Sequence, residues 1–369
     1  MRAPRYGWVV TFGISIEAGA WRQHCDGVRD RVHGADAALV PVIKGGGYGL
    51  GQALLAREAT RMGLHAIAVG TVHEVASVAD AFAGDIVVLE PVDPRDAVAA
   101  RAWDELGAVS DRVVRTVASA EGLDLVLDAH PNPRIVLEAR TSMRRFGLEG
   151  PTLRETWTWA TEVAAEGRLR LLGLTVHLPL VPSNTDLDEV LQLADETGDS
   201  SAHVLVSHID NRRLDILKRH NPNLRFSLRV GTALWLGLRG AVTAEGTVLA
   251  VHRVRRGETM GYHQRRARGN GHVLVVSGGT AHGVGLAAPS SARTMRQRAI
   301  SVATGVLEAA GRAKSPFHHG GHDLWFVEPP HQQVSLLWLP GTIAPPAVGT
   351  AIEARVRLTT THADVVTLR

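Results

Sequence analysis

Ala38-Leu39-Val40-Pro41-Val42-Ile43-Lys44-Gly45-Gly46-Gly47-Tyr48-Gly49-Leu50-Gly51 is the stretch from which the rest of the chain is read. An apolar run ends in a lysine and passes into a glycine-rich turn, the pattern of a buried strand and its exit loop. Lys44 would emerge at the strand's C-terminal end, where α/β folds gather their chemistry. A lysine pressed against apolar neighbours has a lowered pKa, so its neutral amine can attack a carbonyl and form an imine. The glycines let the backbone approach a ligand closely, and Tyr48 places a hydroxyl among them. On these residues alone, a strand-ending lysine before a flexible loop stays open as the simpler reading.

The 369 residues are 45% hydrophobic, enough to build cores for two domains. No run approaches the ~18 uninterrupted apolar residues of a membrane span. Met1–Tyr6 is not followed by the apolar core and small-residue cleavage site of a secretory signal, so cytoplasm is the default expectation. Cys25 is the only cysteine, which excludes an internal disulfide and any cysteine-cluster metal site. The formal charge is only +3. Arg253, Arg255 and Arg256 precede Tyr262, and Arg265, Arg266 and Arg268 follow it. A nucleic-acid surface would need such charge concentrated on one face with aromatic interleaving; these read rather as solvated loops, with attraction of anionic substrates a lesser use.

Apolar, β-rich runs recur from Ala38 at roughly 20–35-residue intervals, alternating with alanine-rich helical segments. They fall at 38–43, 66–70, 86–90, 113–117, 135–138, 171–177, 203–207 and 226–230. This repeat is what a parallel (β/α)8 barrel needs; an open doubly wound sheet is the alternative, because periodicity does not show closure. After Gly240 the texture changes to short strands separated by glycine and proline, among them Thr247–Val254, His272–Val276, Val334–Leu339, Ala351–Leu358 and Val365–Leu368. The expected architecture is therefore an α/β barrel domain over 1–240 and a mostly β domain over 241–369, the latter with one helix near Ser291–Ala313. The strand expected at 8–17 belongs either to the barrel domain or to the second one.

The spacing Lys44-x-x-x-Tyr48-Gly49-x-Gly51 resembles the cofactor-lysine motif of alanine racemases, two-domain pyridoxal 5'-phosphate (PLP) enzymes of fold type III, and further matches follow in the family's order. Thr141-Ser142-Met143-Arg144-Arg145-Phe146-Gly147 is similar to a segment whose arginine contacts the cofactor ring and orients the substrate carboxylate, which would make Arg145 that residue. His177, at the end of Leu171–His177, matches a histidine that supports the cofactor ring. Ser207, in His203–His208, matches a serine that binds the phosphate, with His208 able to assist or replace it. Arg229-Val230-Gly231-Thr232 resembles the segment closing the barrel, where Arg229 would face the pyridine nitrogen and Gly231 and Thr232 hold the phosphate. A guanidinium cannot take the pyridinium proton, so the ring stays a weaker electron sink and side reactions are discouraged. Tyr262, after Arg256–Gly261, matches a tyrosine that reaches the cofactor from the partner subunit. The resemblance thus implies a homodimer in which Lys44 and Tyr262 transfer the Cα proton on opposite faces, with Tyr48 among the cofactor contacts. No metal is implied.

Departures from the family pattern fall on the substrate side. Glu138 stands where the family often carries a carbamylated lysine; both are anions, so Glu138 is expected to position Arg145. Thr280 and His282 replace a tyrosine and an aspartate, and His331 and Gln332 stand where the family meets the substrate carboxylate, with Gln332 a substrate-binding candidate. A wider pocket, and a preferred amino acid other than alanine, would follow. His318-His319-Gly320-Gly321-His322-Asp323 matches no standard metal-ligand spacing. The leading reading is a PLP-dependent amino-acid racemase. A D-amino-acid lyase or aldolase on the same scaffold, or a non-catalytic PLP-binding paralogue, is the alternative; a basic-amino-acid decarboxylase would need a second-domain cysteine that is not there.

Overall fold

A computed structural model describes residues 11–286 and 313–369, and the chain divides into two compact units. One comprises 22–47 and 51–237; the other gathers the described residues of 1–21, 48–50 and 238–369. Strand β1 (Phe12–Ile16) belongs to the second unit. The apolar runs then supply β2 (Ala38–Pro41), β3 (Ala66–Val69), β4 (Asp85–Pro91), β5 (Val113–Val117), β6 (Arg134–Ala139), β7 (Arg170–Val176), β8 (His203–Ser207) and β9 (Arg225–Val230). All pair in parallel, in the order β2-β9-β8-β7-β6-β5-β4-β3. The two edges of this row meet where Val42 bridges Ala68 and the Ile43 N–H donates to the Ala68 carbonyl at 2.6 Å. The sheet is therefore rolled into a barrel, which leaves no open strand edge.

Helices fill the crossovers: α1 (Ala18–Gly34) before β2, then α2 (Gln52–Arg61), α3 (Val75–Ala79), α4 (Ala97–Asp104), α5 (Ala120–Ala129), α6 (Gly150–Ala165), α7 (Asn184–Glu196) and α8 (Asn211–His220). Their starts are written locally. Asp96, Ser119, Ser183 and Asp210 accept first-turn amides, and Ser183 forms a full capping box with Asp186. A short turn, α9 (Thr232–Trp235), follows β9. Along the strands side chains alternate between the helices and the barrel interior. Val40, Val42, Ala68, Val87, Val114, Val136 and Leu205 fill that interior as one apolar cluster. Trp235, fully buried, donates its indole N–H to the Val42 carbonyl at 2.9 Å and so ties α9 to the strand end preceding Lys44.

In the second unit the long β10 (Val242–Val254) is the spine. A two-stranded ribbon, β11 (Thr259–Met260) and β12 (Arg265–Arg266), comes next, then β13 (Gly271–Ser277), β14 (Lys314–His319), β15 (His322–Phe326), β16 (Val334–Pro340), β17 (Ala351–Ala354) and β18 (Val365–Leu368). Spine strand β10 pairs antiparallel with β1, β13 and β17, and β1 pairs in parallel with β18. Phe12, Leu274, Val276, Phe317, Leu337 and Leu339 are fully buried in its core. The strand expected over Ala351–Leu358 stops at Ala354. The Arg357 carbonyl accepts the hydroxyls of Thr360 and Thr361, a local bonding pattern that competes with a ladder. The helix expected near Ser291–Ala313 lies outside the described residues. Among the described residues no helix is long and apolar enough to cross a membrane.

Trp235→Phe keeps most of the buried ring but leaves the Val42 carbonyl without its indole donor. The expected cost is about 1–3 kcal/mol, read as a lower urea midpoint with an unchanged m-value.

Candidate active site

The polar residues of the barrel mouth follow from the period of two. Each lies two residues beyond an interior apolar or small side chain on the same face: Val136 then Glu138, Leu205 then Ser207, Ser227 then Arg229. The same step along the first strand runs Val40, Val42, Lys44. In the register Arg229 lies opposite Val40 on one side and Ser207 on the other, and Glu138 lies opposite Thr175. A polar tier thus sits on top of the apolar one at the C-terminal ends of the strands.

Arg229 is the most buried cation in this tier. It is buried, one Nη donates to the Val176 carbonyl at 2.9 Å, and its Nε is buried with no hydrogen-bond partner. Burial lowers its pKa to about 10, partly opposed by Glu138, which still leaves it a cation at neutral pH. Glu138 is 2% exposed, and its Oε2 is likewise without a partner. Burial pushes its carboxyl up, while Arg229 and Arg145 pull it back down. Arg145, half-exposed after β6, comes no nearer than 3.8 Å to Glu138. Partial desolvation first, then Arg145 and Arg229, draw the Lys44 ammonium below its usual range, although the residue stays open to solvent.

His177 Nδ1 lies 2.8 Å from Ser207 Oγ, which also accepts the Leu178 N–H at 3.3 Å. Ser207 Oγ and His177 Nδ1 share one hydrogen bond, whose direction is set by the tautomer of the neutral imidazole. Burial, with Arg229, Arg145, His208 and Lys44 around it, pushes the His177 pKa down to about 3. His208, in a left-handed conformation with φ 63°, meets the His177 ring edge-on at 5.1 Å and is held neutral by burial and the same cations. In α9 the first amides to bond within the turn are those of Leu234 and Trp235, both to the Gly231 carbonyl. The amides of Gly231 and Thr232 precede those bonds.

Sequence reasoning missed Glu74. Its carboxylate accepts the Gly45 N–H at 2.8 Å and the Gly70 N–H at 2.7 Å, locking the backbone just after the lysine, and it is the acid that opposes the lowering of the Lys44 pKa. The signal available was an acidic residue shortly after β3, at the end of the barrel where the other polar groups lie.

Lys44, Glu138, Arg145, His177, Ser207, Arg229, Gly231 and Thr232 are thus all in the barrel unit. Tyr48 and Tyr262 belong to the β unit. Tyr48 is buried with φ 57°, and beside it a Cβ on Gly49 would lie 2.6 Å from the Leu358 carbonyl, which only glycine tolerates. Tyr262 is 82% exposed at the tip of the β11–β12 ribbon. His282 is buried, accepts the Gly279 N–H through Nδ1 at 3.1 Å and reaches Asp364 through Nε2 at 3.3 Å. The Thr280 and Ala281 amides donate to the carbonyls of His331 and Gln332, and the Gln332 side chain is exposed. His318 bonds to Asp323 at 2.7 Å, and Lys314 pairs with the same carboxylate.

Barrel and polar mouth together define a (β/α)8 scaffold with an amine, two guanidiniums and one buried carboxylate at its catalytic end. A family model described as "Alanine racemase, N-terminal domain" matches residues 16–237. An alanine racemase of Mycolicibacterium vanbaalenii is 28% identical over 284 residues, covering 69% of this chain and 68% of its own. One of Mycobacterium ulcerans is 26% identical over 288 residues, 73% of this chain and 72% of its own. Among solved structures, the alanine racemase of E. faecalis superposes with a TM-score of 0.69 at 15% identity over 98% of this chain and 99% of its own. That of Bartonella henselae, with covalently bound pyridoxal phosphate, gives 0.70 at 15% identity over 97% and 99%. The chain belongs to the alanine racemase family, of which it is a divergent member.

Because His177 is neutral when folded and has an ordinary pKa when unfolded, the unfolded chain binds the extra proton between roughly pH 6.5 and 3. Stability is full above that window and falls as the pH drops into it, with His203 and His208 acting in the same direction. The urea midpoint should decline from pH 7 to pH 5, and His177→Gln should flatten that decline.

Proposed function

We propose that this chain is a PLP-dependent amino-acid racemase, working as a cytoplasmic homodimer that completes each active site with Tyr262 of the partner subunit. The observation that carries this reading is the polar tier itself: an amine with lowered pKa beside a buried guanidinium and a buried carboxylate, each with a polar atom left without a partner. Such a tier is preorganised for a polar, anionic guest. PLP fits it, since an aldehyde suits Lys44, a ring nitrogen suits the free Arg229 donor, and a phosphate suits Ser207 with the Gly231 and Thr232 amides. When bound, PLP supplies the aldehyde for an amine and a conjugated ring that makes an amino acid's Cα–H acidic.

The remaining work falls to the protein. Lys44 Nζ would hold the aldehyde, and it is the amine placed to take or return the Cα proton on one face. The lowered pKa raises its share of free base near neutrality. The Tyr262 phenol oxygen does the same on the opposite face, and its exposure in a single chain suits a group offered to another subunit. Arg229 would hold the ring nitrogen as a donor that cannot accept its proton, and the ring would then be a restrained electron sink. Arg145 orients the substrate carboxylate, and Glu138 holds it there with a charge attractive at 3.8 Å but too distant to neutralise it. Neutral His177 fixes Ser207 through its ring nitrogen.

Lys44→Ala should abolish the absorbance of bound PLP and its fixation by borohydride at that residue, the test on which the reading stands. Tyr262→Phe should keep the absorbance and lose Cα hydrogen–deuterium exchange of one enantiomer, by at least about a hundred-fold. Glu138→Gln should retain bound PLP while raising KM for the amino acid by about ten-fold; an unchanged KM and turnover would remove Glu138 from this role.

A further inference from the structure

An exposed phenol at the tip of a two-residue ribbon would ordinarily sample several rotamers. Tyr262 does not stand alone. Its ring stacks on His331 with centroids 4.5 Å apart and planes inclined by 30°. His331 is itself held: Nε2 lies 2.8 Å from Glu328 Oε1, and the Glu328 side chain is 2% exposed. The other Glu328 oxygen accepts the His263 N–H at 3.3 Å, and the Tyr262 N–H adds a further bond to the same carboxylate. Burial pushes this carboxyl up, but the bonds from His331 and the two amides outweigh it and hold it below its usual range. It is therefore ionised, can only accept, and Nε2 of His331 carries the proton.

The backbone around this carboxylate is shaped for it. Gly261 has φ 73°, and a Cβ there would lie 2.5 Å from Glu328 Oε2. The His331 backbone is pinned as well, its N–H donating to the Val334 carbonyl at 2.9 Å and its carbonyl accepting the Thr280 N–H at 2.8 Å. One buried carboxylate thus anchors both the ribbon tip that carries the phenol and the imidazole on which the phenol lies.

We propose that His331, braced by Glu328, is a positioning residue that fixes the plane of the Tyr262 ring and so aims its hydroxyl at the Cα hydrogen. The inference rests on the racemase reading above and deepens it: a residue that departs from the family pattern on the substrate side acts instead on the proton-transfer group. Stacking, rather than a hydrogen bond to the phenol, leaves the hydroxyl free to exchange its proton.

The chain has three tyrosines, so 3-fluorotyrosine labelling of the full-length protein gives three fluorine resonances, with Tyr262 assigned by its loss in Tyr262→Phe. His331→Ala and Glu328→Gln should each move the Tyr262 resonance and leave the other two in place, which also reports that the fold is intact. His331→Phe, which keeps a ring to stack on, should restore most of the shift. With PLP bound, His331→Ala should slow Cα exchange of one enantiomer at least about ten-fold while the other changes by less than roughly two-fold. A Tyr262 resonance indifferent to both substitutions, or an equal slowing of both enantiomers, would overturn the proposal. A wild-type protein that exchanges no amino acid would sink the racemase reading instead, and the fluorine shifts would then still decide whether His331 orders the ring.

Discussion

Arg229 is paired with Val40 on one side and with Ser207 on the other, and the barrel mouth takes its character from the charge this register buries there. Desolvating an isolated ion costs several kcal/mol even after the protein relaxes. One carbonyl and a nearby carboxylate return only part of that, since the Nε remains without a partner. The cation persists because a guanidinium lowered to about 10 is still protonated at neutral pH. Its field then reaches every titratable neighbour. It helps to hold His177 and His208 neutral, to draw the lysine down and to oppose the burial that would protonate Glu138.

The acids in this tier do different work. Glu138 and Arg145 are 3.8 Å apart with the guanidinium half-exposed, a geometry worth at most about 1 kcal/mol. That is too little to stabilise the fold and enough to bias where a flexible arginine points. Glu74 bonds to two backbone amides at 2.7–2.8 Å, and charge-assisted bonds of that kind hold a loop firmly. Lys44 is thus anchored by its backbone and left free at its amine, the combination a covalent site requires.

In the β unit a buried carboxylate again organises the surroundings, here beneath an exposed tyrosine. The residues that depart from the family pattern separate into two kinds. His282 is a structural group, bonded to Gly279 and Asp364 in a buried setting. His331 is half-exposed and lies against the Tyr262 ring. Substitutions that look alike in a motif comparison therefore have unrelated physical consequences, and only the partners of each ring tell them apart.

Much of this was legible in the chain itself. β-branched runs at a regular interval identified the barrel strands, and Lys44 at the end of the first identified the chemical end. Glu138 and Arg229 were picked out by resemblance to the family's motifs, at or near the ends of runs that strand periodicity, a local property of the backbone, had already marked. Local bonding also misled in one place, where threonine hydroxyls end β17 earlier than its apolar alternation suggests. Tertiary structure alone decided that Glu74 would clasp the loop after Lys44, that Glu138 Oε2 and Arg229 Nε would go unpaired, and that His331 and Glu328 would lie under Tyr262. These meetings join residues far apart in the chain, and they depend on strand register and sheet closure, which no short window of sequence encodes.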